Sequence, residues 1–273
     1  MVALNKTIGP LGGLMTTEAI GSGFDMGRVL RRTVETVRAN LLTFGLIALV
    51  LNALPQAISA TIQLGIQRSQ ENIGVVALLG LLSLVIFIVT IGASLVSICA
   101  LTFGSLASLN GKPLSIPQCI RGGAPHWWRV LLIFLLQGLL IVLGLLVLVV
   151  PGLILMMRWY VAMPVQIAEG LGARASMGRS ARLTDGRRWP LFGLSLAIGV
   201  AFLTLELVLL GLAGGFTGAF TGMFSGPAAS LVVLPLIQLI AAPVNAALYA
   251  SVYFELTGGA AGSRPNVVAA VFD

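Results

Sequence analysis

The side chains best suited to catalysis are few in this chain and badly spaced for it. His126 is the single histidine, next to Trp127, and no HExxH, GxSxG or phosphate-loop pattern occurs anywhere. Cys99 lies in an apolar run and Cys119 in an expected loop; they form no CxxC pair, which argues against a disulfide or a metal site. Ser176 and Ser180 have no base nearby in sequence and read as helix-surface residues. The glycines in 170–178 follow no strand, so a dinucleotide site does not fit. No cofactor and no metal is expected.

Two charges stand out because they fall inside apolar runs. Arg158 lies about 10 Å along its run and Glu206 about 25 Å along another, at 1.5 Å per residue. An unpaired charge there costs at least about 2.5–3.5 kcal/mol, and the two sit at similar expected depth. An intramembrane ion pair between Arg158 and Glu206 is the resulting expectation. Asn52, Gln137 and Gln238 fall near midplane by the same counting. They would either line a polar path or hydrogen-bond between helices, at about 0.6–2 kcal/mol each.

The elements that must position these residues follow from composition. The chain has 273 residues, 58% hydrophobic and only 9% charged, with mean hydropathy +1.03. A soluble domain carries about 25% charged residues, so the surface of this one must face lipid. Six runs approach the roughly 20 residues that a spanning helix needs: 41–64, 73–106, 128–150, 151–168, 190–212 and 228–254. Pro55, Pro235 and Pro243 are expected kinks, and Pro151-Gly152 is an expected tight turn. Residues 211–226 read as a loop or as closely packed helix ends. The fold class is therefore all-α, a polytopic membrane helical bundle. Residues 23–257 form one domain between a cytoplasmic tail at 1–22, which is not a secretory signal, and a second tail at 258–273.

Of the 16 Lys and Arg residues, fourteen fall in loops or tails on one side, Arg68 falls on the other, and Arg158 lies within a span. The positive-inside rule then puts both termini in the cytoplasm. Trp127, Trp128 and Trp189 begin spans there as interfacial anchors. The basic clusters at 28–38, 112–129 and 174–188 each precede two spans, which suggests three units of an interfacial element plus a hairpin. In the first, Asp25 caps a helix with Met26, Val29, Leu30, Val34 and Val37 on its apolar face. In the third, Ala175, Ala181 and Leu183 are the apolar positions and Gly186 the stop. Arg28, Arg31, Arg32, Arg38, Arg179, Arg182, Arg187 and Arg188 then either recognise anionic phospholipid headgroups or only fix topology. Glu169 and Glu255, at the cytoplasmic ends of spans four and six, are expected to pair with arginines. The net charge of +7 is not read as nucleic-acid binding, because no such motif occurs.

Three segments carry a family resemblance. They are Pro151-Gly152-Leu153 through Arg158-Trp159-Tyr160 with Ala162-Met163-Pro164 and Glu169-Gly170; Ser180 through Gly186 with Arg188-Trp189 and Phe192-Gly193; and Leu248-Tyr249 with Tyr253-Phe254-Glu255-Leu256. With the Gly27 to Arg38 start, the chain resembles the glycerophosphoryl diester phosphodiesterase membrane domain family. The ending departs from it, with Thr257 where a basic residue often stands. The resemblance implies a prokaryotic six-span domain of the inner membrane, sometimes fused to a soluble phosphodiesterase. Nothing here matches that catalytic part, so no hydrolase residues transfer. The expected role is a non-catalytic scaffold, anchor or lipid-interacting module in envelope or phospholipid homeostasis. A small-solute or lipid transporter, and an intramembrane enzyme with unusual residues, stay open as alternatives.

Overall fold

The computed structural model describes residues 24–69, 71–222 and 229–258; the tails at 1–22 and 259–273 lie outside them. Asp25 starts helix α1 (Met26–Ala39) as expected, its carboxylate accepting from the Gly27 amide at 2.8 Å and the Arg28 amide at 3.3 Å. Of the expected apolar face of α1, Val29 packs inward with a polar set, while Met26, Leu30 and Val34 face away from the bundle. Val29, Thr33, Thr36 and Asn40 are buried, whereas Met26, Leu30 and Val34 are 38%, 41% and 46% exposed. The small polar residues satisfy themselves within the packing: Thr33 donates to the Val29 carbonyl, and Asn40 Nδ2 donates to Ser108 Oγ at 2.8 Å. Met26, Leu30 and Val34 are thereby left to face outward.

The first span is α2 (Leu41–Ala48), a π-helical turn at Leu49–Ala53, and α3 (Leu54–Arg68). The kink expected at Pro55 takes the form of that turn. Proline removes an amide donor and crowds the carbonyl four residues back, and a π turn absorbs the misfit. Asn72 caps α4 (Ile73–Leu109), accepting from the Val75 amide at 3.2 Å. At 37 residues α4 is about 55 Å long, well beyond a core of about 30 Å. Its first half exposes Ile73, Leu78, Leu81 and Phe87, while Cys99, Ala100, Leu101 and Thr102 are each 0% exposed. Four consecutive buried residues mean that neighbours surround the helix completely at that level.

Helix α5 (Ile116–Gly123) carries Cys119, which is buried within it and not in a loop. Gly122 and Gly123 let α5 approach α4: a Cβ on Gly123 would meet Ala100 N at 2.5 Å. A short 3₁₀ turn leads into α6 (Trp127–Val147). Extended Leu148 makes the turn expected at Pro151-Gly152. Pro151 instead sits in the first turn of α7 (Val149–Arg158), where its missing amide is harmless. Gly152 is the point of contact with α6, where its Cα lies 3.1 Å from the position of a Cβ on Gly144. The fourth span is not one helix: it breaks after Arg158 and resumes as α8 (Ala162–Glu169).

Helix α9 (Ala173–Leu183) buries Ser176, Met177 and Ser180. Both serines are 0% exposed, correcting their reading as surface residues and replacing the expected Ala175, Ala181 and Leu183 face. Gly186 has φ 70° before α10 (Arg188–Gly222). Helix α10 continues through the first part of 211–226; residues 223–228 lie outside the described ones. A second π turn at Ala229–Val233 precedes α11 (Leu234–Leu256), with Pro235 in its first turn and Pro243 inside.

The fold is an all-α polytopic membrane bundle. Among the described residues, six helical segments, from Leu41–Arg68 to Leu231–Leu256, are long and apolar enough to cross a membrane. In chain order, α1 and α9 each precede two of those segments, whereas α5 forms the start of the third, Ile116–Leu146.

Candidate functional site

Arg28 and Arg32 stand four residues apart on α1 and so share one face. Both reach Glu255 in the last turn of α11: Arg28 Nη2 lies 2.9 Å from Oε1 and Arg32 Nη1 lies 2.6 Å from Oε2. The Glu255 side chain is only 9% exposed. A carboxylate near a helix C-terminus opposes the helix dipole, and two guanidinium groups offset that. Arg32 also lies 5.2 Å from the centroid of the Phe254 ring, a cation–π distance.

Two residues earlier on α11, buried Tyr253 donates its hydroxyl to Glu169 Oε1 at 3.0 Å. Arg179 Nε donates to the same oxygen at 3.2 Å. Glu169 therefore ties the end of α8 to α9 and α11. Both glutamates pair with arginines as the sequence suggests, and the identity of each partner is new. The tyrosine was missed, although it sits in the Tyr253-Phe254-Glu255 segment.

The break between α7 and α8 is the second polar centre. Breaking a helix frees carbonyls. Here the Ser180 and Thr184 hydroxyls each approach the Arg158 carbonyl at 3.1 Å, and Gln137 Nε2 donates to the Trp159 carbonyl at 3.5 Å. Gln137 thus serves a helix break and not a polar path.

This geometry overturns the Arg158–Glu206 pair. Arg158 is exposed, and neither residue takes part in a salt bridge among the described residues. The Arg158 carbonyl sits against Ser180 and Thr184, just before α10 begins. Glu206 lies eighteen residues further along α10 than Arg188, roughly 27 Å away at 1.5 Å per residue. The depth count had placed Pro151 and Trp189 at opposite faces, yet Val150 and Trp189 line one groove.

Of the other expected site residues, Asn52 Nδ2 donates to Ser97 Oγ at 2.6 Å inside the first hairpin. Gln238 is exposed, correcting its interior placement, because α11 turns Pro235 and Ile237 inward at that level. Arg31 pairs with Glu35 at 3.3 Å on the surface, and Arg188 with Asp185 at 3.0 Å. Arg38 and Arg182 are exposed and Arg187 half-buried. Trp127 and Trp128 meet edge to face at 5.6 Å and are 43% and 54% exposed, and Trp189 is 83% exposed. Gln166 on α8 also escaped sequence reading, masked by its apolar neighbours. It is 0% exposed, and its amide has no hydrogen-bond partner among the described residues.

A stretch of 74 residues is 38% identical to the UPF0259 membrane protein of Sodalis glossinidius (strain morsitans). It covers 27% of this chain and 30% of that relative. No protein-family profile matches the chain, and no solved structure matches it. The relative's description and the six apolar helical segments agree on a multi-pass membrane protein.

Proposed function

We propose that the chain is a non-catalytic scaffold of the cytoplasmic membrane, with both termini cytoplasmic, whose basic collar engages anionic phospholipid. One observation carries this reading. Glu169 and Glu255, at the ends of α8 and α11, are taken up in ties within the protein, while Arg38, Arg121 and Arg182 stay exposed. Exposed tryptophans and apolar residues adjoin them. Each such cation near an anionic leaflet contributes about 1 kcal/mol. The resemblance to the glycerophosphoryl diester phosphodiesterase membrane domain supports a place in envelope or phospholipid homeostasis.

Native mass spectrometry of the full chain with phosphatidylglycerol and phosphatidylcholine tests the proposal. Arg31, Arg38 and Arg182 are the residues to neutralise together, since Arg28, Arg32 and Arg179 hold the fold. Preferential retention of phosphatidylglycerol, lost in the triple glutamine variant, is expected. Equal retention of the two lipids by the unaltered chain would sink the reading.

A further inference from the structure

Between α7 and the start of α10 runs a groove of about 390 Å³, within the size range of small-molecule sites. Leu153, Ile154 and Met157 form one wall, and Trp189 and Phe192 the other. Arg188 is the charged residue in its lining. Ile154 is 46% exposed and Trp189 83% exposed, and Leu148, Val149 and Val150 beside them are 65%, 63% and 64% exposed. The groove therefore opens on apolar surface of the kind that acyl chains cover in a membrane protein.

The chemistry of Arg188 identifies the occupant. Its Nη2 donates to Asp185 at 3.0 Å, but the Asp185 side chain is 74% exposed and only three residues away. A pair of that kind is weak and easily exchanged. The Arg188 Nε is buried with no hydrogen-bond partner among the described residues. A guanidinium offers several donors in a planar fork that fits a phosphate in a bidentate manner. A small rotation of the side chain, 36% exposed as it stands, would satisfy Nε and Nη2 together on phosphate oxygens. Apolar walls with one arginine match the two ends of a phospholipid.

We infer that this groove takes one acyl chain of an anionic bilayer phospholipid, with the Arg188 guanidinium on its phosphate. The inference rests on the proposed lipid-engaging role and gives it a specific site. It makes Asp185 a placeholder that a phosphate displaces, and Trp189 a flap of the groove in addition to an interfacial anchor.

The test uses the full chain in phosphatidylcholine vesicles doped with phosphatidylglycerol bearing a diazirine in one acyl chain. Crosslinks are expected to concentrate at 150–157 and 189–192. Arg188→Gln should lower them about tenfold, the scale of one lost charge-assisted hydrogen bond. Ile154→Trp, at an exposed position that tolerates bulk, should fill the groove and abolish them. Diazirine-labelled phosphatidylcholine should crosslink the groove weakly and ignore Arg188→Gln. Crosslinks spread evenly over the apolar surface, or unchanged by both variants, would overturn the groove. If the neutralised collar (Arg31, Arg38 and Arg182 to Gln) loses its phosphatidylglycerol preference while the groove variants change nothing, the groove fails and the proposed role survives. If the unaltered chain shows no preference for phosphatidylglycerol, both fail.

Discussion

Arg32 Nη1 lies 2.6 Å from Glu255 Oε2, joining residues 223 positions apart. With Arg28 on the other oxygen, it closes the first helix onto the last. Glu255→Ala removes a carboxylate that is 9% exposed from two arginines that are 44% and 32% exposed. A fully buried pair broken on one side costs about 3–5 kcal/mol, and solvent around the arginines reduces that to roughly 1–3 kcal/mol. Hydrogen exchange of the α1 amides should accelerate accordingly, while α6 amides stay unchanged. Unaltered exchange in α1 would show that the tie does not hold the helix.

Arg158→Gln and Glu206→Gln should act independently. The Arg158 carbonyl sits against Ser180 and Thr184, just before α10 begins, and Glu206 lies roughly 27 Å further along that helix than Arg188, beyond the range at which mutational effects couple. Measured as thermal stability in detergent, the double variant should equal the combination of the two singles within about 0.5 kcal/mol. Rescue of either single variant by the other would restore the ion pair that the geometry removes.

The Asn52–Ser97 hydrogen bond crosses the first hairpin at a buried site. Asn52→Leu and Ser97→Ala, alone and together, should give a coupling energy of about 0.6–1.7 kcal/mol. A double-mutant cycle with no coupling would mean that each side chain finds another partner once its own is lost.

Gly123→Ala places a Cβ 2.5 Å from Ala100 N and 2.6 Å from Ala100 Cα. Backbone atoms cannot yield as side chains do, so α5 must shift away from α4, at about 1–3 kcal/mol. Gly138→Ala on α6 meets nothing within 4 Å and serves as the control. Comparing the melting temperatures of the two variants checks this, and equal values would contradict the close approach.

The turn after Arg68 and the turn after Leu109 lie at opposite ends of α4, which is long enough to carry them to opposite sides of a bilayer. In intact cells, Glu71→Cys should react with an impermeant maleimide and Pro113→Cys should not. The native thiols, Cys99 and Cys119, are buried and should contribute little background. Reaction at Pro113→Cys alone would invert the proposed orientation.

Much of this molecule is legible without coordinates. Asp25 caps its helix as composition suggests, because a cap is a local interaction. Span two ends within three residues of its expected limit, because a long apolar run needs no tertiary information to form a helix. Cys119 was misplaced because a short run with Pro117 and two glycines looks like a loop, and only packing on α4 shows that those glycines permit close contact.

The sequence by itself determined that the chain is a helical membrane protein, that six segments can span, and that its arginines gather in three clusters. Each depends on local composition and run length. Tertiary structure alone decided that Val29 and Thr33 face inward while Leu30 faces outward, that Gln238 is exposed, and that Arg158 lies far from Glu206. The reason is physical. Lipid tails are as apolar as leucine, so hydropathy marks the span but not which face of a spanning helix is buried. Rotation about the helix axis and relative depth are set by steric fit and by a few polar contacts between distant helices. Glu255 with Arg32 and the Arg158 carbonyl with Thr184 are two of them.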